Sequence, residues 1–310
     1  MAGSNLGLAV SGGGDSLALL LLAQAALPGR VEAATVDHGL RPESASEAEL
    51  VSRYCAEIGV VHTTLRVTIP RGNIQQMARN ARYTALGEWA REHDLQGLAT
   101  AHQMDDQAET FLMRLNRGSG LAGLSSIRAL GTLPDVSIRL IRPLLRWRRS
   151  ELAKIVADRR WLAVDDPSNH DDRFDRVRMR HVLADSDWLD IPAIERSARL
   201  LSEANDTIEW MIDREYSESV TVEGSVARYA ALRTGLADTL IRGGVIRAIF
   251  RRFGKDLDQG DAANLAAILV DNKKSNVSGI QAQTEDLDNE RLWVFRPENP
   301  RRTDSSRGSD

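Results

Sequence analysis

The sequence predicts an α/β fold with an open parallel sheet and helices on both faces, followed by a small helical or α+β module. Three observations carry this. Short apolar, β-branched runs alternate with amphipathic helical patterns through the first half of the chain. The chemically unusual residues gather just after the carboxyl ends of those runs. The 310 residues suffice for one full α/β domain and a smaller second unit.

Strands are expected at Leu6–Val10, Val31–Val36, Val61–Val67, Leu98–Ala101 and Ser137–Ile141. Between them lie helical patterns at Leu17–Ala26, Ser44–Ile58, Ile74–Glu92 and Asp105–Arg117. Such βαβα order implies parallel pairing, and in open sheets of this kind ligands bind beyond the carboxyl ends of the strands. A glycine-rich turn follows the first run there, Asp37-His38 the second, and His102 with Asp105 and Asp106 the fourth. A further helix, Ser150–Trp161, has Ser150 as its expected N-cap and Leu152, Ile155 and Val156 on one side. After Asp165-Asp166-Pro167-Ser168 the chain reads as polar and irregular. Pro192 then precedes a long helix, Ile194–Glu215, striped with Leu200, Leu201, Ile208, Met211 and Ile212. Helical stretches at Leu240–Phe253 and Ala262–Leu269 and a strand-like run at Leu292–Phe295 follow. The expected organisation is a catalytic domain over 1–190, a connecting helix over 191–215, a small module over 216–297 and a disordered tail over 298–310, whose composition cannot bury a core. No internal repeat is visible.

Composition excludes several classes of function. No window approaches the roughly eighteen uncharged apolar residues of a membrane span, and no secretory signal precedes the first run, so a cytoplasmic enzyme without a membrane partner is expected. Cys55 is the only cysteine; it shares a helical face with Val51 and Ile58 and reads as a core residue. Disulfides, Cys-based zinc or iron–sulfur sites and sulfur relay through paired thiols are thereby excluded. The six histidines show no ligand spacing. The net charge of −4 argues against a nucleic-acid partner, but its distribution argues for one. Arg139, Arg142, Arg146, Arg148, Arg149, Lys154, Arg159 and Arg160 crowd one stretch, and Arg173, Arg176, Arg178 and Arg180 follow. Interleaved acids, among them Asp165, Asp166, Asp171 and Asp175, leave structural pairing open as the alternative.

The turn itself is Ser11-Gly12-Gly13-Gly14-Asp15-Ser16. Consecutive glycines let the backbone curl and approach a ligand, while the first N–H groups of the following helix point outward without partners, so an anion sits there naturally. A Walker loop would need Gly-Lys-Ser/Thr, and Asp15 follows Gly14; a dinucleotide fingerprint would need a third glycine where Leu17 stands. Farther on, Asp106 and Glu109 are three apart on one helical face. Capping and dipole complementation would also explain acids at that place.

The pattern S-G-G-x-D-S resembles the PP-loop ATP pyrophosphatases, which share the adenine nucleotide alpha hydrolase-like fold. In order, the turn, Val36-Asp37-His38-Gly39-Leu40-Arg41, Ala78-Arg79-Asn80-Ala81-Arg82-Tyr83, Ala101-His102 with Asp105-Asp106-Gln107-x-Glu109-Thr110, Arg117-Gly118-Ser119-Gly120, Arg142-Pro143-Leu144-Leu145 and Asp166-Pro167-Ser168-Asn169 resemble the tRNA(Ile)-lysidine synthetase family through the arginine set ending at Arg180-His181. The resemblance implies a cytoplasmic ligase. It would use ATP, Mg2+ and free L-lysine to convert the wobble cytidine of tRNA(Ile) with a CAU anticodon to lysidine, through an adenylated cytidine, with release of pyrophosphate and AMP. It implies that Ser11, Gly12, Gly13, Gly14, Asp15 and Ser16 hold the nucleotide with His38 and Arg41, and that Asp15 carries the metal. It also implies that Asp106 and Glu109 bind lysine and that Arg178 joins Asp15 and these acids in catalysis. Because a carboxylate favours an ammonium and an attacking amine must be neutral, the two acids are expected to grip the amine that does not react. Two positions depart from the family pattern: Gln103 replaces a second histidine and Val177 an asparagine. A PP-loop ligase or amidotransferase acting on a small molecule, resembling NAD synthetase, is the alternative, and self-association into a homodimer stays open.

Overall fold

A computed structural model describes residues 5–39, 43–68, 74–133, 137–165, 171–231, 239–287 and 290–298. Arg41, the segment 166–170 and the tail beyond Glu298 lie outside the described residues. The chain divides into two compact units, Met1–Ser202 and Glu203–Asp310.

In the first unit β1 (Leu6–Ala9), β2 (Val31–Asp37), β3 (Val61–Arg66), β4 (Gly97–Ala99), β5 (Leu130–Thr132) and β6 (Arg139–Ile141) form one sheet in the order β3-β2-β1-β4-β6-β5. All pairs are parallel except the edge pair β5–β6, which sequence patterning did not disclose. The helices are α1 (Gly14–Ala26), α2 (Ser44–Glu57), α3 (Ile74–Glu92), α4 (Met104–Asn116), α5 (Leu121–Leu124), α6 (Arg149–Asp158) and α7 (Asp175–Ala184). Alternate residues of each strand feed different cores, as a period of two requires. Leu8, Ala33 and Ala99 join Leu17, Leu20, Val51, Cys55 and Leu152 from α1, α2 and α6, whereas Ala34, Leu98 and Leu140 join Leu86, Trp89 and Ala90 from α3. Helices thus cover both faces. Cys55 is fully buried, and burial pushes its thiol up to about 12, in keeping with a core residue.

Several boundaries differ from expectation, some for plain physical reasons. Helix α1 begins at Gly14, because the glycine turn itself supplies the first helical turn. Ser150 does not cap α6; it lies in the first turn, and the Arg148 amide donates to Glu151 Oε2 at 2.7 Å instead. The stretch read as irregular contains α7, whose helical character is hidden by four charged residues around buried Val177 and Leu183. Helix α8 (Ile191–Ser219) takes Pro192 into its first turn, where the missing N–H costs nothing. The boundary between the two units falls within α8.

The second unit is an α+β module. Strands β7 (Val220–Glu223), β8 (Val226–Tyr229), β9 (Ser275–Val277), β10 (Ile280–Leu287) and β11 (Glu290–Pro297) form an antiparallel sheet in the order β7-β8-β11-β10-β9. Helices α9 (Thr239–Arg252) and α10 (Gln259–Val270) pack Ile246, Phe250, Leu265 and Leu269 against Tyr229, Ile280, Trp293 and Phe295.

Candidate active site

The turn after β1 is held from behind by a segment distant in sequence. Gly12 has φ +88°, and a Cβ there would stand 2.9 Å from Val164 Cγ2. The Val164 amide donates to the Gly12 carbonyl at 2.9 Å. Val164 is kept in place by its neighbours: Trp161 stacks on Tyr54 at 4.3 Å and donates to Glu57 Oε2 at 3.0 Å, and the Leu162 amide donates to the Tyr54 hydroxyl at 2.9 Å. The Ser16 hydroxyl accepts from the Ser11 amide at 3.1 Å and donates to the Gly13 carbonyl at 2.8 Å, which closes the curl. Gly13 is the N-cap of α1 and offers no side chain to its first amides, leaving them to an anion.

Helix α4 starts with a capping box built on Gln103. Its Oε1 accepts from the amides of Asp105 and Asp106, and its own amide donates to Asp106 Oδ2 at 3.1 Å. Asp105 turns to α6, accepting from Arg148 Nε and Nη2 at 3.2 Å each and from the Arg149 amide at 2.9 Å. Burial opposes its charge, but Arg148 and Arg149 outweigh burial and hold its pKa below the usual carboxylate value. Asp105 therefore ties two helix starts together.

Asp106 and Glu109 turn the other way, into a cluster of arginines. Glu109 is 1% exposed and accepts from Arg149 Nη2 at 3.1 Å, Arg176 Nε at 2.8 Å and Arg180 Nε at 3.0 Å. Asp106 lies 3.3 Å from Arg149 Nη2 and 3.0 Å from Arg176 Nη2. Arg149 Nε in turn lies 3.9 Å from Asp15 Oδ2. Burial works against the Glu109 carboxylate, yet Arg176, Arg149 and Arg180 hold its pKa below the usual value. For Asp106 burial prevails, with Glu109 adding to it and Arg176 opposing, so its pKa is raised. Asp15 is pushed up to about 6, first by burial and then by Asp106, with Arg149 pulling back.

Known proteins resemble this chain in sequence. The family model described as the PP-loop domain matches residues 1–186. The tRNA(Ile)-lysidine synthase of Novosphingobium aromaticivorans is 48% identical over 221 residues, covering 70% of this chain and 68% of that protein. That of Zymomonas mobilis is 41% identical over 284 residues, covering 85% of this chain and 84% of that protein. The chain belongs to the tRNA(Ile)-lysidine synthase family, on a PP-loop domain. A further member, from Ruegeria pomeroyi, is 44% identical over 212 residues, but this chain spans only 50% of its length. Among solved structures, the U34-tRNA thiolase NcsA of Methanococcus maripaludis with its [4Fe-4S] cluster superposes with a TM-score of 0.54 at 18% identity, over 65% of this chain and 71% of that one. It shares the fold.

Within this family member the structure brings Asp15, Asp106 and Glu109 together through Arg149. It does not bring Arg178 to them. Arg176 and Arg180 stand four apart on α7 and share a face, whereas Arg178 lies on the opposite face. There it is 60% exposed and paired with Asp175, which also accepts from Arg117 at 2.7 Å. Arg173 is likewise paired outward, with Asp171. His38 follows β2 and faces Arg82, with Nε2 3.4 Å from Arg82 Nε; burial and Arg82 lower its pKa, with Asp37 opposing. Arg149 is the participant that sequence reasoning passed over. Its signal was an arginine in the first turn of a helix, where the dipole disfavours positive charge unless an acid is at hand.

Proposed function

We propose that this chain ligates L-lysine to C2 of the wobble cytidine of a tRNA(Ile) with a CAU anticodon, at the expense of ATP. The observation that carries the reading is Arg149, whose guanidinium reaches Asp15 of the phosphate turn at 3.9 Å and Glu109 of the acid pair at 3.1 Å. One side chain thereby joins a nucleotide end to an acidic end, as a reaction between an activated base and an amine requires.

The α1 amides and the turn around Ser11, Gly12, Gly13, Gly14 and Ser16 bind the triphosphate and stabilise the charge that grows on departing pyrophosphate. His38 and Arg41 complete the nucleotide site in this reading. Asp15, a single carboxylate in the phosphate turn, suits Mg2+, an ion that takes one or two carboxylates and fills its shell with phosphate oxygens and water. Asp15 would hold it, and the ion would neutralise the leaving group. Arg149 orients the polyphosphate beside the acids, and Asp106 with Glu109 receives the lysine ammonium so that the other amine meets C2 of the adenylated cytidine. Arg178 on its outward face contacts the RNA backbone rather than the acids in this reading. The α+β module supports the RNA partner with exposed Arg251, Arg252, Lys255, Lys273 and Lys274.

No described helix is long and apolar enough to cross a membrane; the reading places the reaction with tRNA in the cytoplasm. Incubation with ATP, magnesium, labelled lysine and CAU transcripts tests it. Label entering only the isoleucine transcript is expected, whereas AMP formation without RNA would show a small-molecule ligase instead.

A further inference from the structure

The first turns of α1, α4 and α6 meet beyond the carboxyl ends of β1 and β4, and one buried side chain stands among them. Strands β1 and β4 are parallel neighbours, with Leu8 paired to Ala99, so the glycine turn and the segment running into Gln103 leave the sheet side by side. Asp105 ties the start of α4 to the start of α6, and Arg149 of α6 reaches both Asp106 at 3.3 Å and Asp15 at 3.9 Å. Gln103 is 0% exposed in this setting. Its neighbours engage all of its hydrogen-bonding atoms but one. The backbone N–H donates to Asp106 Oδ2 at 3.1 Å, the carbonyl accepts from the Gln107 amide at 3.2 Å, and Oε1 accepts from the Asp105 and Asp106 amides.

The remaining atom is Nε2, which is buried and finds no hydrogen-bond partner among the described residues. The cap settles that this atom is the nitrogen: with the amide turned over, its N–H groups would face the backbone N–H groups of Asp105 and Asp106. Nε2 lies on the side of Asp15, where burial and Asp106 act against the carboxylate, whereas Arg149 and hydrogen bonding from the Gln103 side chain favour it. The donor is therefore close to that carboxylate without being seated on it. Buried amide hydrogens are costly to leave unused, and a carboxylate that binds a metal through one oxygen is steadied by a donor on the other. Arg149 suits that second place poorly, because its charge would repel the metal ion. A neutral amide donates without that repulsion.

We infer that Gln103 is a positioning residue for the magnesium nucleotide: Nε2 donates to one carboxylate oxygen of Asp15 and turns the other toward the metal, while Oε1 holds the helix start that carries Asp106 and Glu109. One side chain thus sets the phosphate turn and the acid pair in a common frame. The inference rests on the proposed role of Asp15 in carrying Mg2+ and is independent of which base or amine reacts. A histidine at this position serves both ends as well, with Nδ1 accepting from the cap amides and Nε2–H donating to Asp15. Gln103 therefore departs from the family pattern in residue type but keeps an acceptor and a donor at the two ends of one side chain.

The test compares the full chain with Gln103→Ser, whose hydroxyl caps α4 but is too short to reach Asp15, and with Gln103→His. ATP affinity is measured calorimetrically with magnesium and with EDTA, and the thermal midpoint on the same preparations. Gln103→Ser is expected to melt within about 3 °C of the parent. With magnesium it should bind ATP about tenfold more weakly, and without magnesium within about twofold of the parent. Gln103→His should recover most of the loss. In steady state the serine variant should raise KM for ATP and leave KM for lysine within about twofold. Unchanged affinity for ATP with magnesium in a folded Gln103→Ser protein would overturn the inference. An equal loss with and without magnesium would also overturn it, by reducing Gln103 to a support of the turn. Should the serine variant melt far below the parent, Gln103→Asn, as strong a cap and one methylene shorter than glutamine, gives the same two readings. A parent whose ATP affinity ignores magnesium marks failure of the metal assignment to Asp15 instead, and the inference falls with it.

Discussion

Replacing Glu109 by glutamine should cost the first unit much of its stability before any question of catalysis arises. The carboxylate is 1% exposed and accepts three charge-assisted hydrogen bonds, at 2.8, 3.0 and 3.1 Å, from arginines that are only 31–40% exposed. Glutamine keeps the shape but removes the charge, and its amide hydrogens confront guanidinium donors. Losing one member of a buried ion network costs about 3–5 kcal/mol. In a unit of this size each kcal/mol lowers the thermal midpoint by roughly 2–4 °C, so Glu109→Gln should melt about 6–20 °C below the parent in scanning calorimetry. Asp106→Asn should cost less, because that carboxylate already tends toward its neutral form. A midpoint within about 2 °C of the parent would refute the view that Glu109 is the anchor of the arginine cluster. If the variant stays folded, a raised KM for lysine marks binding of the amine, and a lowered kcat at unchanged KM counts against that role.

Asp15→Asn should stabilise the nucleotide-free protein at neutral pH and abolish productive Mg-ATP binding. The folded pKa of about 6 exceeds the ordinary 3.8, so the native state holds the proton more tightly: the contribution is fully present below pH 3.8 and is lost as pH rises through about 6. The variant should therefore gain on the order of 2–3 kcal/mol over the parent at pH 7 and little at pH 4, and a pH-independent difference in denaturant midpoints would refute this. Gly12→Ala places a β-carbon at φ +88° and 2.9 Å from Val164 Cγ2; a loss of about 2–4 kcal/mol is expected, with Val164→Ala restoring only the steric part, and full restoration would show that the backbone is unstrained. In calorimetric titrations lysine should bind at least tenfold more tightly when a non-hydrolysable ATP analogue and magnesium are present; equal affinity with and without nucleotide would refute coupling through Arg149.

Much of the first unit was legible because its signals are local. Apolar runs such as Val31–Val36 and periodic stretches such as Ile74–Glu92 state their structure within one element, and the observed α3 has those same limits. The antiparallel sheet of the second unit was not read, although its turns left marks. Ser278-Gly279 joins β9 and β10 with φ +51° and +76°, the pairing a two-residue hairpin favours, but three-residue Ser275–Val277 carries too little pattern to stand out as a strand. Helix α7 was hidden because its inward face is cationic: Arg176 and Arg180 face a carboxylate, so hydrophobic periodicity misses them. The same cause made Arg178 look equivalent to its neighbours. Sequence order supplies the set of arginines; only the helical phase of α7, fixed by Val177 and Leu183, divides them into inward and outward members.

The acids proposed to hold lysine are already engaged by arginines, and charge counting says how an ammonium could still be received there. Asp106 and Glu109 face Arg149, Arg176 and Arg180, so an ammonium arriving at the free enzyme would meet carboxylates whose field is spent. A triphosphate at the α1 amides brings stronger acceptors within reach of Arg149, whose Nε already lies 3.9 Å from Asp15. Each guanidinium drawn toward phosphate oxygens leaves Glu109 short of a donor in a site with almost no solvent to replace it, and an unpaired buried carboxylate is costly. The ammonium then supplies both the missing charge and the missing hydrogen bonds. In the proposed reaction lysine would thus bind best when the nucleotide is in place, which would keep the amine away from the site until there is a phosphate to activate its target.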